Sequence, residues 1–135
     1  MTSPHRLINP DSLSPPVGFS HAVVAASGSS IYLGGQTAQG ADGRVRGTTI
    51  CEQFEAATVN LVEALAAADA RPEHLVSLLI FVTDVTEYRA SLAEIGSIYQ
   101  RHLGRHYPAV SLFEVGALFD PAAKLELVAQ AVVPD

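Results

Sequence analysis

One segment of the sequence, residues 109–115, restricts the possible folds more than any other. Pro108 has no backbone N–H to donate to a sheet, so a β-strand is expected to begin directly after it. Side chains alternate along a strand, which places residues 110, 112 and 114 on one face and residues 109, 111, 113 and 115 on the other. Both faces are largely apolar. The fold must therefore cover this strand from two sides.

The N-terminal part of the chain predicts short strands that are joined by loops. Residues 5–9 predict a short edge strand. Residues 20–27 and 30–36 predict a β-hairpin with Gly28 in its turn. The many glycines in residues 37–47 predict a loop, and this loop leads into the first helical segment.

Two helices are predicted from the spacing of the apolar residues. The first helix is expected to start at Thr48 or Thr49, because Thr49 and Glu52 match a capping box. Its apolar stripe consists of Ile50, Phe54, Ala57, Leu61 and Leu65. The second helix is expected to be capped by Thr86 and to end at Gly104. Its apolar stripe consists of Tyr88, Leu92, Ile95, Tyr99 and Leu103.

Two further apolar segments predict strands of the sheet interior. Residues 74–85 are apolar on both faces and are expected at the sheet centre, while residues 124–133 predict the last strand. Two helices can cover only one face of such a sheet. Exposing the other face would cost roughly tens of kcal/mol at about 25 cal/mol per Å². We therefore expect the chain, a single domain over residues 1–135, to associate with copies of itself through the open face.

Charge and length argue against several function classes. The 135 residues carry a net charge of −6, and the seven Arg and one Lys form no basic stripe, which argues against nucleic acid and anionic membranes as partners. No apolar run is long enough to span a membrane and the N-terminus has no apolar leader, so a cytoplasmic protein is expected. The single cysteine, Cys51, predicts a buried thiol.

A family resemblance is carried by six segments, VGFSHAV, LGGQTA, EQFEAATVNLVEALAAADA, SLLIFVTDVTEY, YPAVSLFEVGAL and KLELVAQAVV. In this order, over residues 17–133, they resemble the RidA/YjgF family, also called the reactive-intermediate deaminase or L-PSP family. The resemblance implies an α+β, chorismate-mutase-like fold in which two helices pack on one face of a mixed β-sheet. It also implies a trimeric barrel, a homotrimer with a small-molecule cleft between neighbouring subunits. No cofactor is expected.

The resemblance also implies a chemistry, and one residue departs from it. Typical family members hydrolyse the imine and enamine products of amino-acid dehydratases to a 2-keto acid and ammonia. Their motif Pro-Ala-Arg-Ser contains the arginine that binds the substrate carboxylate. The matching residues here are Pro108, Ala109, Val110 and Ser111. Valine offers no donor in place of a bidentate arginine, so the usual activity on 2-imino acids is not expected.

The other cleft positions of the family are partly kept in this chain. Phe19 stands where the family has a tyrosine, and Leu112 stands where it has a small polar residue or cysteine. The carboxylate that helps to place the hydrolytic water is kept as Glu126. The family motif Ser-Gly-Gln corresponds to Gly34, Gly35 and Gln36. The resemblance therefore implies an apolar cleft with one acid, and it favours hydrolysis or tautomerisation of a small imine-like metabolite.

Alternatives to this prediction remain open at the sequence level. The chain also fits a non-catalytic module that binds a metabolite or a partner, with Glu126 in a structural role. Endoribonuclease activity, which is sometimes attached to the family name, fits poorly with a net charge of −6. Arg105 either replaces the missing arginine or acts as a cation at a helix end. His102 and His106 lack an evident third ligand, so no metal is expected. Glu114 is expected to make a structural hydrogen bond.

Overall fold

The computed structural model describes residues 2–135 and has six strands and three α-helices. The strands are β1 (Arg6–Ile8), β2 (Ala22–Val24), β3 (Gly28–Tyr32), β4 (Leu75–Val82), β5 (Ala109–Glu114) and β6 (Leu125–Pro134). The helices are α1 (Ile50–Ala67), α2 (Val85–Ala90) and α3 (Leu92–Leu103). A 3₁₀ turn at Pro72–His74 leads into β4. This order places both long helical segments between strands of one sheet.

The main sheet has four strands in the order β3-β6-β4-β5. The pair β4–β5 is parallel, and the pairs β3–β6 and β4–β6 are antiparallel. The strands β1 and β2 form a separate antiparallel ribbon. Helix α1 packs on α3 and on β6, so the helices lie on one face. The expected α+β fold, a mixed sheet with helices on one side, is therefore confirmed.

The predicted hairpin around Gly28 is wrong. Strand β2 pairs with β1, whereas β3 pairs with β6, and Gly28 is the first residue of β3 rather than a turn residue. Gly28 lies opposite Pro134, and a Cβ atom on Gly28 would overlap the backbone carbonyl of Val133. The glycine is therefore needed for close approach of two backbones. The local turn signal was misleading because the actual partner of β3 is a strand about a hundred residues further along the chain.

The first helix forms as its sequence predicts. Thr49 accepts a hydrogen bond from the Glu52 backbone N–H at 3.1 Å, and the Glu52 carboxylate accepts from the Thr49 N–H at 3.0 Å. This reciprocal pair is the capping box that satisfies the free N–H groups of the first turn. The whole predicted stripe is buried, namely Ile50, Phe54, Ala57, Leu61 and Leu65. These side chains form the core together with Leu75, Leu78, Leu125 and Leu127 of the sheet.

The second helical segment differs from its prediction in two respects. Asp84, and not Thr86, caps it, because the Asp84 carboxylate accepts from the Glu87 N–H at 3.0 Å. The helix is also interrupted at Ser91, which separates α2 from α3. Leu92 begins α3 and remains 54% exposed. The sequence spacing did not reveal this break, because the apolar residues keep helical spacing across it.

Three buried histidines make hydrogen bonds around the start of β4. The His5 Nε2 lies 3.0 Å from the carbonyl oxygen of His74, while His5 Nδ1 accepts from the Ala26 N–H at 3.0 Å. His106 Nε2 lies 2.7 Å from the carbonyl oxygen of Leu75. These contacts require the neutral Nε2–H tautomer at His5 and a proton on Nε2 of His106. Burial lowers the pKa of both His74 and His106.

Candidate functional site

An apolar cavity of about 630 Å³ lies between β5, α3 and the loop that precedes β2. It brings together Phe19, Val110 and Leu112, three of the residues that the sequence suggested. Val110 is paired with Leu78 and Leu112 with Ile80 in the parallel ladder, so both project to the helix-covered face. The remaining lining residues are Val17, Gly18, Phe54, Ile80, Tyr88, Leu92, Ile95, Gly96, Tyr99, Gln100 and Tyr107.

Aromatic rings and neutral polar groups determine the character of this cavity. Tyr99 and Tyr107 stack with ring centroids 5.2 Å apart and an interplanar angle of 14°. The Tyr99 hydroxyl donates to the His106 carbonyl oxygen at 2.7 Å, and Gln100 Nε2 donates to the Tyr107 hydroxyl at 2.9 Å. Burial raises the pKa of Tyr88 to about 12. None of the lining side chains is charged at neutral pH.

Glu126 lies in a second group of predicted residues, around the start of β6. A Cβ atom on Gly35 would lie 2.7 Å from Glu126 Cδ, so the glycine backbone and the carboxylate are in direct contact. Gln36 exchanges two backbone hydrogen bonds with Leu127, each of 2.8 Å. The Gln36 side chain donates to the Gly34 carbonyl oxygen at 3.1 Å. The loop after β3 is thereby fixed beside the carboxylate, and the glycine at position 35 leaves room for it.

A smaller polar cavity of about 380 Å³ adjoins this second group. Gly35 and Gln36 line it together with Asn60 and Glu63 of α1. The Asn60 side chain donates to the carbonyl oxygens of Thr37 at 3.0 Å and Gln39 at 2.8 Å, which holds the loop on the helix. Polar groups that converge in this way can bind a polar part of a ligand.

Glu126 and the apolar wall lie on opposite faces of the sheet within one chain. Glu126 pairs with Phe81, which follows the cavity residue Ile80 and therefore points away from the helices. Phe81 in turn stacks on Phe113 with centroids 5.6 Å apart, and Phe113 is 48% exposed. Ser111 is also exposed and shares this open face. A single chain therefore does not unite the apolar wall with the carboxylate.

Other residues singled out from the sequence have structural contacts. Glu114 accepts a hydrogen bond from the Val85 N–H at 3.0 Å, which is the structural role expected for it. His102 Nε2 lies 2.7 Å from the Glu55 carboxylate. Arg105 is exposed at the surface. Cys51 is a buried free cysteine, as expected, and burial is the main cause that raises its pKa. Within residues 2–135, no group of three or more ligating side chains is arranged to hold a metal ion.

Sequence reasoning missed several lining residues of the apolar cavity. Tyr88 and Tyr99 were assigned to a buried helix stripe, which is consistent with their spacing but conceals their contact with a cavity. Gly96 and Gln100 were not singled out. Their signal is the spacing of Leu92, Gly96 and Gln100, which lie four residues apart on one face of α3 with a glycine in the middle.

No helix in the described part of the chain combines the length and apolarity needed to cross a membrane.

Fold and cavities together define a small α+β protein with two separate groups of candidate site residues. Comparison with known proteins agrees with this class. The family model described as Endoribonuclease L-PSP matches residues 10–133. The chain belongs to this family, and the resemblance to the RidA/YjgF family is thereby confirmed. A comparison with curated proteins gives no match.

Solved structures include similar proteins from several organisms. The Rid-family protein YyfB from Yersinia pestis, whose function is unknown, is 34% identical, with 96% of this chain and 98% of that chain covered and a TM-score of 0.86. The yeast protein YEO7 is 26% identical, with coverage of 88% and 90% and a TM-score of 0.67. A YjgF-family member from Mycobacterium tuberculosis is 27% identical, with coverage of 96% and 99% and a TM-score of 0.65.

Proposed function

We propose that this protein hydrolyses or tautomerises a small imine or enamine that carries no carboxylate, in clefts between copies of the chain. The observation that carries the proposal is the position of Val110 in a cavity without charged lining residues. A substrate carboxylate would have to give up its hydration there without a partner, which costs several kcal/mol. An uncharged substrate does not incur this cost.

Glu126 is the group that we assign to the chemistry. In hydrolysis, the carboxylate orients a water molecule and accepts its proton while the oxygen adds to the carbon of the C=N bond. The Glu126 carboxyl group passes this proton to the nitrogen, which gives a carbinolamine. The carbinolamine hydroxyl then loses its proton and the nitrogen gains one, so that the C–N bond breaks, ammonia leaves and a carbonyl compound remains. Gly35 and Gln36 supply polar contacts beside the carboxylate. Phe19, Val110 and Leu112 form the apolar wall.

A second copy of the chain is required to bring these groups together. Phe81 and Phe113 lie on the open face beside Glu126, and this apolar surface supports burial against another subunit. We therefore propose a homotrimer in which the carboxylate of one copy reaches the apolar cavity of its neighbour. Such a head-to-tail contact closes into a ring when three copies are related by a threefold axis.

The test compares three imines that are generated during the assay. An amine oxidase converts benzylamine to benzaldimine and cyclohexylamine to cyclohexanone imine, and a serine dehydratase supplies the anionic imine of pyruvate. The protein should accelerate release of the carbonyl product from the two uncharged imines more than from the anionic one. Glu126→Gln should abolish this acceleration, whereas the exposed loop variant Asp11→Asn should retain it.

Two outcomes would count against the proposal. Full activity of Glu126→Gln would remove the carboxylate from the mechanism. No acceleration with any imine, combined with tight binding of an uncharged ligand, would instead establish a binding module without catalysis. The absence of charged groups from the cavity lining is the observation that favours this second candidate function.

A further inference from the structure

We propose that the apolar cavity selects an uncharged, planar aromatic ligand that carries one hydrogen-bond acceptor. This inference rests on the proposed function, because it names the substrate class for the same site. Its basis is the set of rings, hydroxyl groups and free space around the cavity. These features lie on the loop before β2, on α1, α2 and α3, and on the segment before β5, and none of them belongs to the Pro-Ala-Val-Ser motif.

The shape and composition of the lining favour a flat aromatic group. Five of the lining residues are aromatic, namely Phe19, Phe54, Tyr88, Tyr99 and Tyr107. Aromatic pairs in offset-stacked or edge-to-face arrangements gain more than their buried area alone provides. The volume of about 630 Å³ leaves room for a one- or two-ring compound.

Two neutral hydroxyl groups supply the polar recognition. The Tyr88 hydroxyl makes no hydrogen bond to another group within residues 2–135, and the buried phenol stays protonated at neutral pH. The Tyr107 hydroxyl accepts from Gln100, so its own proton remains available to a ligand. Both are donors without charge. They therefore match a carbonyl oxygen or an imine nitrogen and provide no counterion for a carboxylate.

Gly96 provides the free space over which the ring lies. It lines the cavity from the middle of α3, between Leu92 and Gln100 on the same helix face. A Cβ atom at Gly96 would meet no atom within 4 Å, so the surrounding structure does not require a glycine there. The missing side chain instead leaves the helix backbone open to the cavity. A larger residue at this position would fill the ligand space without disturbing the core.

Binding measurements with three small probes test this inference directly. Acetophenone has a ring and an acceptor, toluene has the ring alone, and benzoate has the ring with a negative charge. Each is titrated into the wild-type protein by isothermal calorimetry and by protein NMR. We expect acetophenone to bind most tightly, toluene about threefold to tenfold more weakly, and benzoate at least about 100-fold more weakly. Benzoate binding equal to that of acetophenone would overturn the proposal.

Variants assign the effect to the cavity. Tyr88→Phe removes only the hydroxyl and should lower the affinity for acetophenone about threefold to tenfold, while the affinity for toluene stays unchanged. Gly96→Leu should abolish binding of both without lowering the melting temperature. Tyr32→Phe, at a tyrosine that is 76% exposed on β3, serves as the matched control and should change neither affinity. If Tyr88→Phe weakens toluene and acetophenone equally, the hydroxyl is not the anchor.

This experiment separates failure of the inference from failure of the proposed function. If acetophenone binds as expected but no imine is hydrolysed, the ligand class stands and the reaction is wrong. If cyclohexanone imine is hydrolysed in a Glu126-dependent manner but acetophenone does not bind, the reaction stands and the aromatic preference is wrong. If both hold, benzaldimine should be turned over with a lower KM than cyclohexanone imine.

Discussion

The substitution Gly35→Ala offers a sensitive test of the position of Glu126. The new Cβ atom would lie 2.7 Å from Glu126 Cδ and 3.1 Å from Cγ, so the carboxylate must move. Moving it by about 30° around a side-chain torsion costs about 0.5–1.5 kcal/mol. Replacing glycine with alanine stabilises the folded state by about 0.4–1 kcal/mol, because the unfolded chain then has less conformational entropy. The free energy of unfolding should therefore change by less than about 1 kcal/mol.

Activity should respond far more strongly than stability. A displacement of about 1 Å in a group that orients water lowers the rate by roughly 100-fold. The assay compares imine hydrolysis and urea denaturation for the wild type, Gly35→Ala and Gly116→Ala. Gly116 is a matched control, because a Cβ atom there would meet no atom within 4 Å. Equal activity of the two variants would refute the contact between Gly35 and the carboxylate as the reason for the glycine.

Three further predictions concern stability and charge. Gly96→Ala should raise the free energy of unfolding by about 1 kcal/mol in urea denaturation, because alanine has the higher helix propensity and a Cβ atom at this position meets no other atom. A decrease in the free energy of unfolding would show that the position is crowded. Acidification from pH 7.5 to 5.5 should lower the urea midpoint, because the pKa values of His74 and His106 are lowered in the folded state. The two neutral histidines therefore contribute fully to the free energy of unfolding above the unfolded pKa of 6.5, and this contribution is lost as the pH falls below that value. Glu73 and His5 lie near both histidines, and Arg71 lies near His74. A constant urea midpoint would contradict the lowered pKa values of His74 and His106. Val110→Arg should keep the fold and lower the free energy of unfolding by about 1–3 kcal/mol, since the guanidinium can reach water at the cavity mouth. The new charge should make benzoate bind more tightly than acetophenone. Aggregation of the variant would show that Val110 belongs to the closed core.

The sequence predicted those elements whose signals are local and mutually consistent. The capping box at Thr49 and the apolar stripe of α1 agree with the structure, because both depend only on helical spacing. The central position of β4 followed from its two apolar faces. The pairing of β2 was not predictable from the same signals. A turn-like Gly28 fits a local hairpin and a distant strand equally well, and only the approach of β6 distinguishes them.

The candidate site was predictable in its residues but not in its arrangement. The family resemblance pointed to Phe19, Val110, Leu112 and Glu126. Strand alternation separates Glu126 from Val110 and Leu112 once the register of β4 with its neighbours is known. That register depends on long-range pairing and on a bulge between Leu75 and Ser77 of β4, which no local pattern announces.

The active site that we propose is completed by two copies of the chain. Glu126→Gln lacks the carboxylate and Gly96→Leu lacks the cavity, so each variant alone should be inactive. Mixed trimers formed by unfolding and refolding an equal mixture would combine an intact cavity with an intact carboxylate at roughly one quarter of their head-to-tail interfaces. We predict that such a mixture recovers about a quarter of wild-type imine hydrolysis. No recovery, in mixed trimers verified by native mass spectrometry, would contradict a site that is shared between subunits.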